Sequence, residues 1–570
     1  MAKDHSQSIC QLIRHEKLVS PKDGKTIVGT VRSLKPCVQT MSQAATIPNA
    51  PLLFEIFSQQ QNLEKWPDSV EIKGWHAPQK HWEEWVDGMA RKYGALWYQA
   101  GICDAIMSST YEIRCNKDLI LGLVEFWCPE TNTFVFPWAE ATVTLEDVMI
   151  LGGFSTLGDS VRRPLEGKLV KVEEDMNKKR LVLSRSKSKK ATHSCWIKHF
   201  MESNEEYEHV AFLSLWLTRY VFPSLPEKIV AKQVFPTAIH LSSNTRMALS
   251  QAVLASLYKN LTLFKHKAVS CPKQITVSGL LKLLQLWAFE HFPSLGPTIP
   301  NTLKPGEPRA ARFHRSNAKI NLQLVTSVLR LPDNFIWRPY IVDLKNWVHP
   351  SYYKQTQFIT FYCNDRDEDL KSFGKCLYAS MLVGLDCKEE YLPQRVAMQL
   401  GYDQDLPDAF PGCSIPLEKV RFAALPRSFK PCVSVRYFNW WTKLISTRKT
   451  ALRDIKRNVF DVKKPSTTMH GVKTSDSTIN NSVGSFASVA YDSDADNMPL
   501  SQRMKHVACH FKTTGSPRAH NGNVRKRKFS IFAGRSKATT TLPFHGSSAG
   551  GQMNGGGGSE SDRKRAVKEG

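Results

Sequence analysis

The stretch Thr131–Gly158, TNTFVFPWAEATVTLEDVMILGGFSTLG, is the most informative part of the sequence for the fold. Its first half holds two runs of β-branched and aromatic residues, Thr133–Phe136 and Ala141–Thr144, on either side of Pro137–Glu140. Such runs are typical of strands, and a four-residue separation is typical of a hairpin loop. The sequence therefore predicts a hairpin near residues 133–144.

The second half of the same stretch carries the signals of a short helix. Thr144 precedes the helical pattern and Asp147 follows three residues later, which resembles a capping box with Asp in place of Glu or Gln. Apolar residues then recur at helical spacing from Leu145 to Leu151, and Gly152-Gly153 ends the pattern. We expect a capped helix with one apolar face directly after the hairpin.

Helical periodicity dominates much of the remaining chain up to about residue 450. The widest stripe, Trp82, Trp85, Met89, Tyr93 and Trp97, lies on one helical face and indicates a core helix, with base stacking or ligand binding as the alternative. Further helices are predicted over residues 116–127, 209–222, 244–263, 276–289, 317–331 and 391–400, and a strand over residues 358–362. The pattern predicts a mainly α (α+β) fold, a multi-helix globular domain with a few short strands.

Composition divides the chain into three segments. Residues 1–50 are weakly patterned, and we expect them to be weakly ordered; residues 51–450 form the globular region. Residues 451–570 hold 20 Lys or Arg against 9 acids and are rich in Ser and Gly, which predicts a disordered basic tail. Within the globular region, residues 167–191 carry nine Lys or Arg against three acids, and we interpret them as a solvated charged insertion. A surface loop, a nucleic-acid contact and a phosphorylated surface are the alternatives there.

The composition is that of a basic protein, for which polyanion binding is one interpretation and a soluble protein with basic loops is the alternative. A net charge of +25 favours nucleic acids or acidic proteins as partners. The 13 cysteines include no CxxC pair, so we expect reduced thiols of a cytosolic or nuclear protein. We find neither a signal-peptide pattern nor an apolar run of roughly 18 residues, and we expect no membrane span.

Three candidate metal or hydrolase motifs fail on their spacing or context. The acidic cluster Asp365–Asp369 lacks the Gly and Glu of a calcium loop, since Leu370 and Cys376 occupy those positions. His506, Cys509 and His510 have no second Cys pair at zinc spacing and lie in the tail. The GxSxG match at residues 546–550 also lies in the tail, without a predicted strand before it. We therefore expect no metal site and no nucleophile elbow.

Nucleotide and pyridoxal phosphate sites are equally unsupported. Gly152, Gly153 and Gly158 resemble a phosphate loop only superficially, because Asp159 follows where that motif requires Lys. No segment combines a cofactor lysine, a partner for the pyridine nitrogen and a phosphate cup. We predict no catalytic residue and no cofactor.

The hairpin and helix carry a family resemblance. The Phe-Pro-Trp-Ala-Glu turn and the Leu-Glu-Asp-Val helix resemble the signature block of the plant mobile domain, the family of maintenance-of-meristems-like proteins, many of them labelled aminotransferase-like. The similarity extends over roughly residues 51–445 and is strongest to the transposon-associated branch. The signature positions are Phe136, Pro137, Trp138, Glu140, Thr144, Leu145, Asp147 and Gly152.

The resemblance implies a nuclear plant protein related to mobile-element genes. Family members serve in development, meristem maintenance, genome stability or transposon silencing, and some carry a serine/threonine phosphatase domain, of which we see no metal-binding motif. We therefore expect a non-enzymatic nuclear factor that contacts nuclear proteins and DNA or RNA. The family supplies no catalytic residues to place on this chain, and the sequence does not support aminotransferase activity.

An enzyme of mobile-element recombination, or a degenerate relative of one, is the alternative. Such an enzyme needs three carboxylates around two metal ions. Asp104, Asp147, Glu290 and Asp403 are available, and nothing in the sequence selects them.

The tail contains a short basic run, Arg525, Lys526, Arg527 and Lys528. Clusters of this kind serve as nuclear import signals or polyanion contacts, and a solvated tail without such a role is the alternative.

Overall fold

The computed structural model describes residues 11–20, 24–47, 70–185, 191–201, 205–270, 275–354, 359–362, 367–410, 421–424 and 431–446. The chain is mainly α-helical with short strands, as predicted. The helices are α1 Trp82–Gln99, α2 Cys103–Ser108, α3 Lys117–Phe126, α4 Leu145–Gly152, α5 Lys168–Arg185, α6 His193–Phe200, α7 Glu208–Trp216, α8 Phe235–Ser242, α9 Leu249–Ser270, α10 Leu281–His291, α11 Leu322–Leu329, α12 Glu368–Cys376 and α13 over residues 435–446.

The strands pair in small sheets. They are β1 Gln11–Val19, β2 Thr26–Leu34, β3 Val70–Lys73, β4 Trp127–Cys128, β5 Thr133–Val135, β6 Glu140–Ala141, β7 Ile275–Ser278, β8 Ile359–Tyr362, β9 Ser380–Val383, β10 Lys388–Tyr391, β11 Arg421–Ala424 and β12 Val433–Ser434. The two three-stranded sheets have the orders β12-β1-β2 and β4-β5-β6, and the two-stranded sheets are β9–β10, β8–β11 and the parallel pair β3–β7.

The predicted hairpin and capped helix are confirmed. β5 pairs antiparallel with β6, with Phe134 opposite Ala141. The Thr144 hydroxyl accepts from the Asp147 backbone N–H, and the Asp147 carboxylate accepts from the Thr144 backbone N–H, so both halves of the capping box are present. Gly153 ends α4 with a φ of 70°, a left-handed conformation that favours glycine.

The prediction of a weakly ordered segment before residue 51 is wrong for its described part. β1 and β2 form a nine-residue antiparallel ladder from Gln11 opposite Leu34 to Val19 opposite Thr26. The other edge of β1 pairs with β12, more than 400 residues away in sequence. The apolar partners that order this hairpin come from distant segments, so its own sequence shows only a weak pattern.

The charged stretch 167–191 is also not a loop over most of its length, because residues 168–185 form α5. Four of the seven apolar residues of α5, Leu169, Val172, Met176 and Leu183, are at helical spacing and pack on the main core, whereas Val170, Leu181 and Val182 are exposed. Met176 is fully buried. These contacts hold one side of the helix, and the charged residues share its remaining surface.

Several predicted helices differ from the observed ones. The helix predicted over residues 276–289 begins only at Leu281, because residues 275–278 form the strand β7 that pairs with β3. The helix predicted over residues 317–331 is shorter and spans Leu322–Leu329. The helix predicted from residue 244 begins at Leu249, because the preceding residues make other contacts: Thr245 N–H donates to the His240 carbonyl and Asp159 N–H to the Arg246 carbonyl. The segment Pro393–Leu400 is a 3-10 helix, and Gly401 ends it with a φ of 81°.

Buried side chains form two clusters within the described residues. The larger one contains the aromatic stripe of α1, whose Trp82, Trp85, Met89 and Trp97 are all buried, as the core interpretation predicted. The smaller one joins Val135 of the hairpin to Val19 of β1 and to Tyr437, Trp440 and Trp441 of α13. The hairpin thus lies between the helical core and the N-terminal sheet. Among the described helices, none has the length and hydropathy of a membrane span.

Candidate functional site

The first turn of α4 contains a buried carboxylate, that of Asp147, which accepts several hydrogen bonds. Asp147 Oδ2 accepts from the backbone N–H and the hydroxyl of Thr144, both at 2.7 Å. Its Oδ1 accepts from Tyr340 Oη at 2.6 Å and lies 3.1 Å from His291 Nε2. The other nitrogen of His291, Nδ1, lies 2.8 Å from the Ile336 carbonyl. The cap therefore also ties α4 to α10 and to the segment around residues 336–340.

A buried ion pair lies one residue before His291. Glu290 accepts two hydrogen bonds from Arg309, Nε to Oε1 at 2.9 Å and Nη2 to Oε2 at 2.8 Å, and a third from Arg312 Nη1 at 2.7 Å. The Arg309 guanidinium also lies over the rings of Tyr340 and Trp347, 5.0 and 4.4 Å from their centroids. This bidentate geometry is the strongest form of an arginine–carboxylate contact.

The signature glutamate has an equivalent role on the hairpin. Glu140 accepts from Arg395 Nη1 at 2.9 Å and from Thr133 Oγ1 at 2.8 Å. Burial raises the pKa of Glu140, while Arg395 and Thr133 oppose that shift. Beside it, the Gln399 side chain pairs with the backbone of Thr142 through both its oxygen (2.8 Å) and its nitrogen (2.9 Å). The hairpin is thereby fixed to the 3-10 segment around residues 393–400.

Trp138 fills the loop of the hairpin. Its indole N–H donates to the Leu329 carbonyl at 3.0 Å, and its ring stacks on Phe136 at a centroid distance of 5.0 Å. Phe335 and Trp337 contact its other sides at 5.1 and 5.7 Å. Trp138 is thus used for packing between the hairpin, α11 and the segment around residue 335.

A further carboxylate connects the N-terminal sheet to α13. Asp405 accepts from Arg436 Nε at 2.7 Å, from Ser434 Oγ at 2.8 Å and from the Leu406 N–H at 2.9 Å, and it also pairs with Arg14 of β1. Burial raises the pKa of Asp405, and the positive charge of Arg14 opposes that shift.

The carboxylates of Asp147, Glu140 and Glu290 are enclosed by groups of the protein. Asp147, Glu140 and Glu290 are each no more than 5% exposed. Each of their oxygens already accepts at least one hydrogen bond from the protein. A substrate could reach them only by displacing those donors.

Comparisons with known proteins agree with the signature. Residues 101–442 match the family described as Plant mobile domain. The chain belongs to this family. In Arabidopsis thaliana it is similar to Protein MAINTENANCE OF MERISTEMS, at 24% identity over 52% of the chain and 60% of that protein, and to Protein MAIN-LIKE 1, at 30% identity over 31% and 36%.

A third similar protein is longer than this chain. The Serine/threonine-protein phosphatase 7 long form homolog of Arabidopsis thaliana is 25% identical over 52% of the chain, and the match covers only 22% of that protein. The chain spans less than two thirds of the length of each of these relatives. No solved structure matches the chain.

The four carboxylates considered for a recombination enzyme are not gathered in one cleft. Asp147 and Glu290 are neighbours in the buried network, where Tyr340 contacts both Asp147 and Arg309, the partner of Glu290. Asp104 is exposed at the start of α2. Asp403 lies at the N-terminal sheet, where its carboxylate accepts from the backbone N–H of Arg32. Within the described part of the chain, no three His, Cys, Asp or Glu side chains are placed to hold a metal ion.

Several predicted features lie outside the described residues: the basic run Arg525–Lys528, the His506–His510 cluster, the GxSxG match at 546–550 and the tail from residue 451. In the acidic cluster, Asp367 is the N-cap of α12, and its carboxylate accepts from the Leu370 N–H at 3.0 Å. That segment therefore begins a helix.

Sequence reasoning missed the partners of the signature residues. Three of these partners, His291, Tyr340 and Arg395, lie 144 to 255 residues from the carboxylates that they contact. The fourth, Arg309, lies 19 residues from Glu290. The sequence signal that could have indicated these partners is a charged or polar residue inside an apolar helical pattern, as at Glu290-His291 and at Arg395.

Proposed function

We propose that this plant mobile domain protein is a non-enzymatic nuclear factor that acts through nucleic-acid or protein contacts. Development, genome maintenance and transposon silencing are the processes in which we place it. The proposal extends the likeness to MAINTENANCE OF MERISTEMS and MAIN-LIKE 1 from the shared domain to the nuclear setting of the family.

The main support for the proposal is that the signature side chains make their contacts inside the domain. Glu140, Asp147 and Trp138 are engaged with Arg395, His291 and the Leu329 carbonyl inside the domain. Residues that identify a family of enzymes commonly line its reaction centre; these instead hold a scaffold together. A full chain with a net charge of +25 is suited to binding acidic partners.

Affinity purification of the full chain from plant nuclei, with and without nuclease, tests the proposal. Chromatin proteins recovered only without nuclease would indicate a tether through DNA or RNA. A stable protein partner in both samples would indicate a protein scaffold. Turnover of DNA strands by the purified chain, lost on removing its exposed carboxylates, would overturn the non-enzymatic assignment.

The nuclear location depends on the basic run Arg525–Lys528 in this proposal. Deleting these four residues should lower the nuclear fraction of a fluorescent fusion. Deleting the four glycines Gly555–Gly558 is a matched control, since it shortens the same tail equally without removing charge. Equal nuclear accumulation in both deletions would contradict the import role.

A further inference from the structure

A second group of charged side chains lies where the parallel strands β3 and β7 end. The register pairs Lys73 with Ser278, the last residues of the two strands, so the chain leaves both at the same edge. From β7 it passes through Gly279, with a φ of 151°, directly into α10. The carboxyl ends of parallel strands, followed by a helix N-terminus, are a common place for anions to bind.

The N-terminus of α10 has no side-chain cap. Its N-cap residue is Leu280, which offers no hydrogen-bond acceptor to the first-turn N–H groups. By contrast, Thr144 caps α4 and Asn116 caps α3. The positive end of the α10 dipole is thus not complemented by its own cap residue, and Lys282 adds a positive charge in its first turn.

Arg219 approaches the same edge from a π-helical turn, Leu217–Val221. Its Nη1 lies 3.1 Å from His193 Nδ1, its Nη2 donates to the Ala77 carbonyl at 3.0 Å, and its Nε donates to Tyr220 Oη at 3.1 Å. All three partners are neutral groups. π-Helical turns inside helices are frequent at functional sites.

Lys282 is held by a neutral group as well. Its ammonium donates to the His76 carbonyl at 3.2 Å. Among the described residues, no carboxylate lies within ion-pair distance of Arg219 or Lys282, in contrast to Arg309 and Arg395. We call the set Arg219, Lys282, His76 and His193 the basic edge.

The electrostatic environment of the basic edge reflects this excess of positive charge. Burial, followed by the charge of Arg219, lowers the pKa of Lys282 to about 8 and the pKa values of His76 and His193 to about 3. Lys228 contributes to the shift of both histidines. The imidazoles are therefore neutral at pH 7, and each can still offer one N–H.

One carboxylate lies nearby and has other partners. Glu227 Oε1 accepts from the Gly74 N–H at 3.1 Å and lies 4.0 Å from His76 Nδ1, while its Oε2 lies 3.9 Å from Lys73 Nζ. Glu227 is thus shared with Lys73, which also pairs with Glu71. The charges of Arg219 and Lys282 keep the basic edge positive.

We propose that the basic edge binds a single phosphate group. Guanidinium and ammonium groups are the side chains that proteins use for phosphate, and an uncapped helix N-terminus adds backbone N–H donors. The phosphate is either free or part of a nucleic-acid backbone. Only the nucleic-acid source rests on the function proposed above; the site itself does not.

Isothermal titration of the full chain with inorganic phosphate tests the site. Arg219→Gln and Lys282→Gln should each weaken phosphate binding by about tenfold, since each removes one charged hydrogen-bond donor. Lys259→Gln is the matched control, because it removes the same charge where Asp386 already pairs with it at 2.6 Å. Circular dichroism of each variant verifies the fold, and Lys282→Gln alone decides if Arg219→Gln does not fold.

The outcomes separate the site from its source. No phosphate binding by the wild-type chain, or equal binding by Lys282→Gln and the control, overturns the proposal. A second titration with a short oligonucleotide identifies the source: a backbone phosphate predicts a salt slope smaller by about one in Lys282→Gln. If Lys282→Gln loses inorganic phosphate but keeps the wild-type slope, the site stands with free phosphate as its ligand. Failure of the wild type to bind any oligonucleotide would count against nucleic-acid contacts and leave the phosphate result unaffected.

Discussion

The buried network around the signature hairpin and the basic edge use the same kinds of side chain in opposite ways. In the network, Arg309 and Arg395 each contact a carboxylate, at 2.8 and 2.9 Å. At the basic edge, the hydrogen bonds of Arg219 and Lys282 join them to carbonyls, a hydroxyl and an imidazole, and the Arg219 guanidinium also lies 5.4 Å from the centroid of the Tyr220 ring. The first arrangement pairs each arginine with a buried carboxylate, whereas the second, among the described residues, holds its positive charges without a paired carboxylate.

The presence or absence of a paired carboxylate offers a criterion for distinguishing charges that stabilise the fold from charges that can bind a ligand. A buried charge that is paired with an opposite charge is tolerated only while that partner is present, because an unpaired buried charge is strongly unfavourable. A cation without a carboxylate retains capacity to bind an anion from outside. Substitutions in the two regions should therefore affect stability very differently.

The largest effect is expected from Glu290→Gln. The substitution leaves Arg309, which is 2% exposed, without its counter-charge. Breaking a buried pair in this way costs about 3–5 kcal/mol of unfolding free energy. Urea unfolding followed by circular dichroism measures it.

An exposed pair provides the comparison for Glu290→Gln. Asp159→Asn removes one partner of Arg163, where both side chains are about half exposed. Surface pairs contribute about 1 kcal/mol or less. If both substitutions cost the same, Glu290 is not the structural charge that its geometry indicates.

Asp147→Asn should have the next largest effect. The amide of asparagine has a single oxygen and turns an NH2 group toward the other side. Either the Thr144 donors or the Tyr340 hydroxyl therefore lose their acceptor. We expect a loss of about 2–3 kcal/mol. Thr144→Ala removes only the side-chain cap and should cost about 1 kcal/mol. An equal cost for the two variants would show that the contacts to α10 contribute nothing.

The sequence predicted the local parts of this architecture well. The hairpin, the capping box at Thr144 and the buried stripe of α1 follow from spacing alone, because their decisive contacts lie within a few residues. The predicted start of α9, residue 244, precedes the observed start, Leu249, by five residues. The Arg246 carbonyl accepts from the Asp159 N–H, a distant residue that the local pattern does not show.

Long-range contacts could not be predicted from the sequence. The order of β1 depends on β12, and the role of Glu140 depends on Arg395, 255 residues later. The basic edge is assembled from four separate segments, and none of them carries a motif. The turn from β7 through Gly279 into α10 lies at this edge only because β7 pairs in parallel with β3. That pairing joins segments about 200 residues apart and cannot be predicted from either strand alone.

Acid should destabilise the folded chain in part through the histidines of the basic edge; His209, whose pKa burial lowers to about 4, adds to the same pH dependence. His76 and His193 have folded-state pKa values of about 3, lowered by burial and by Arg219, against about 6.5 in the unfolded chain. Because the unfolded chain binds these protons first, their contribution to stability is complete above pH 6.5 and falls as the pH drops toward 3. Each histidine contributes a slope of up to about 1.4 kcal/mol per pH unit.

Urea unfolding at several pH values between 7.5 and 5 checks this slope. The charges of Arg219 and Lys228 oppose protonation of both histidines, and Lys282 opposes that of His76. Among the described residues, Glu227 is the carboxylate within 4.0 Å of His76. The substitution His193→Phe should reduce the pH dependence of the unfolding free energy by the contribution of one histidine, up to about 1.4 kcal/mol per pH unit. An unchanged slope would mean that His193 is protonated in the folded chain.

The smallest effect on stability should come from the basic edge itself, at Lys282→Gln. The substitution removes one hydrogen bond to the His76 carbonyl and also removes a charge whose pKa is already lowered to about 8 by burial and by Arg219. The two changes oppose each other, so the unfolding free energy at pH 7 should stay within about 1 kcal/mol of the wild type. Urea unfolding in buffer without phosphate measures it, and repeating the measurement in excess phosphate should stabilise the wild type more than the variant, because only a ligand of the folded state shifts the equilibrium. A loss comparable to that of Glu290→Gln would place Lys282 among the structural charges and remove the distinction between the two regions.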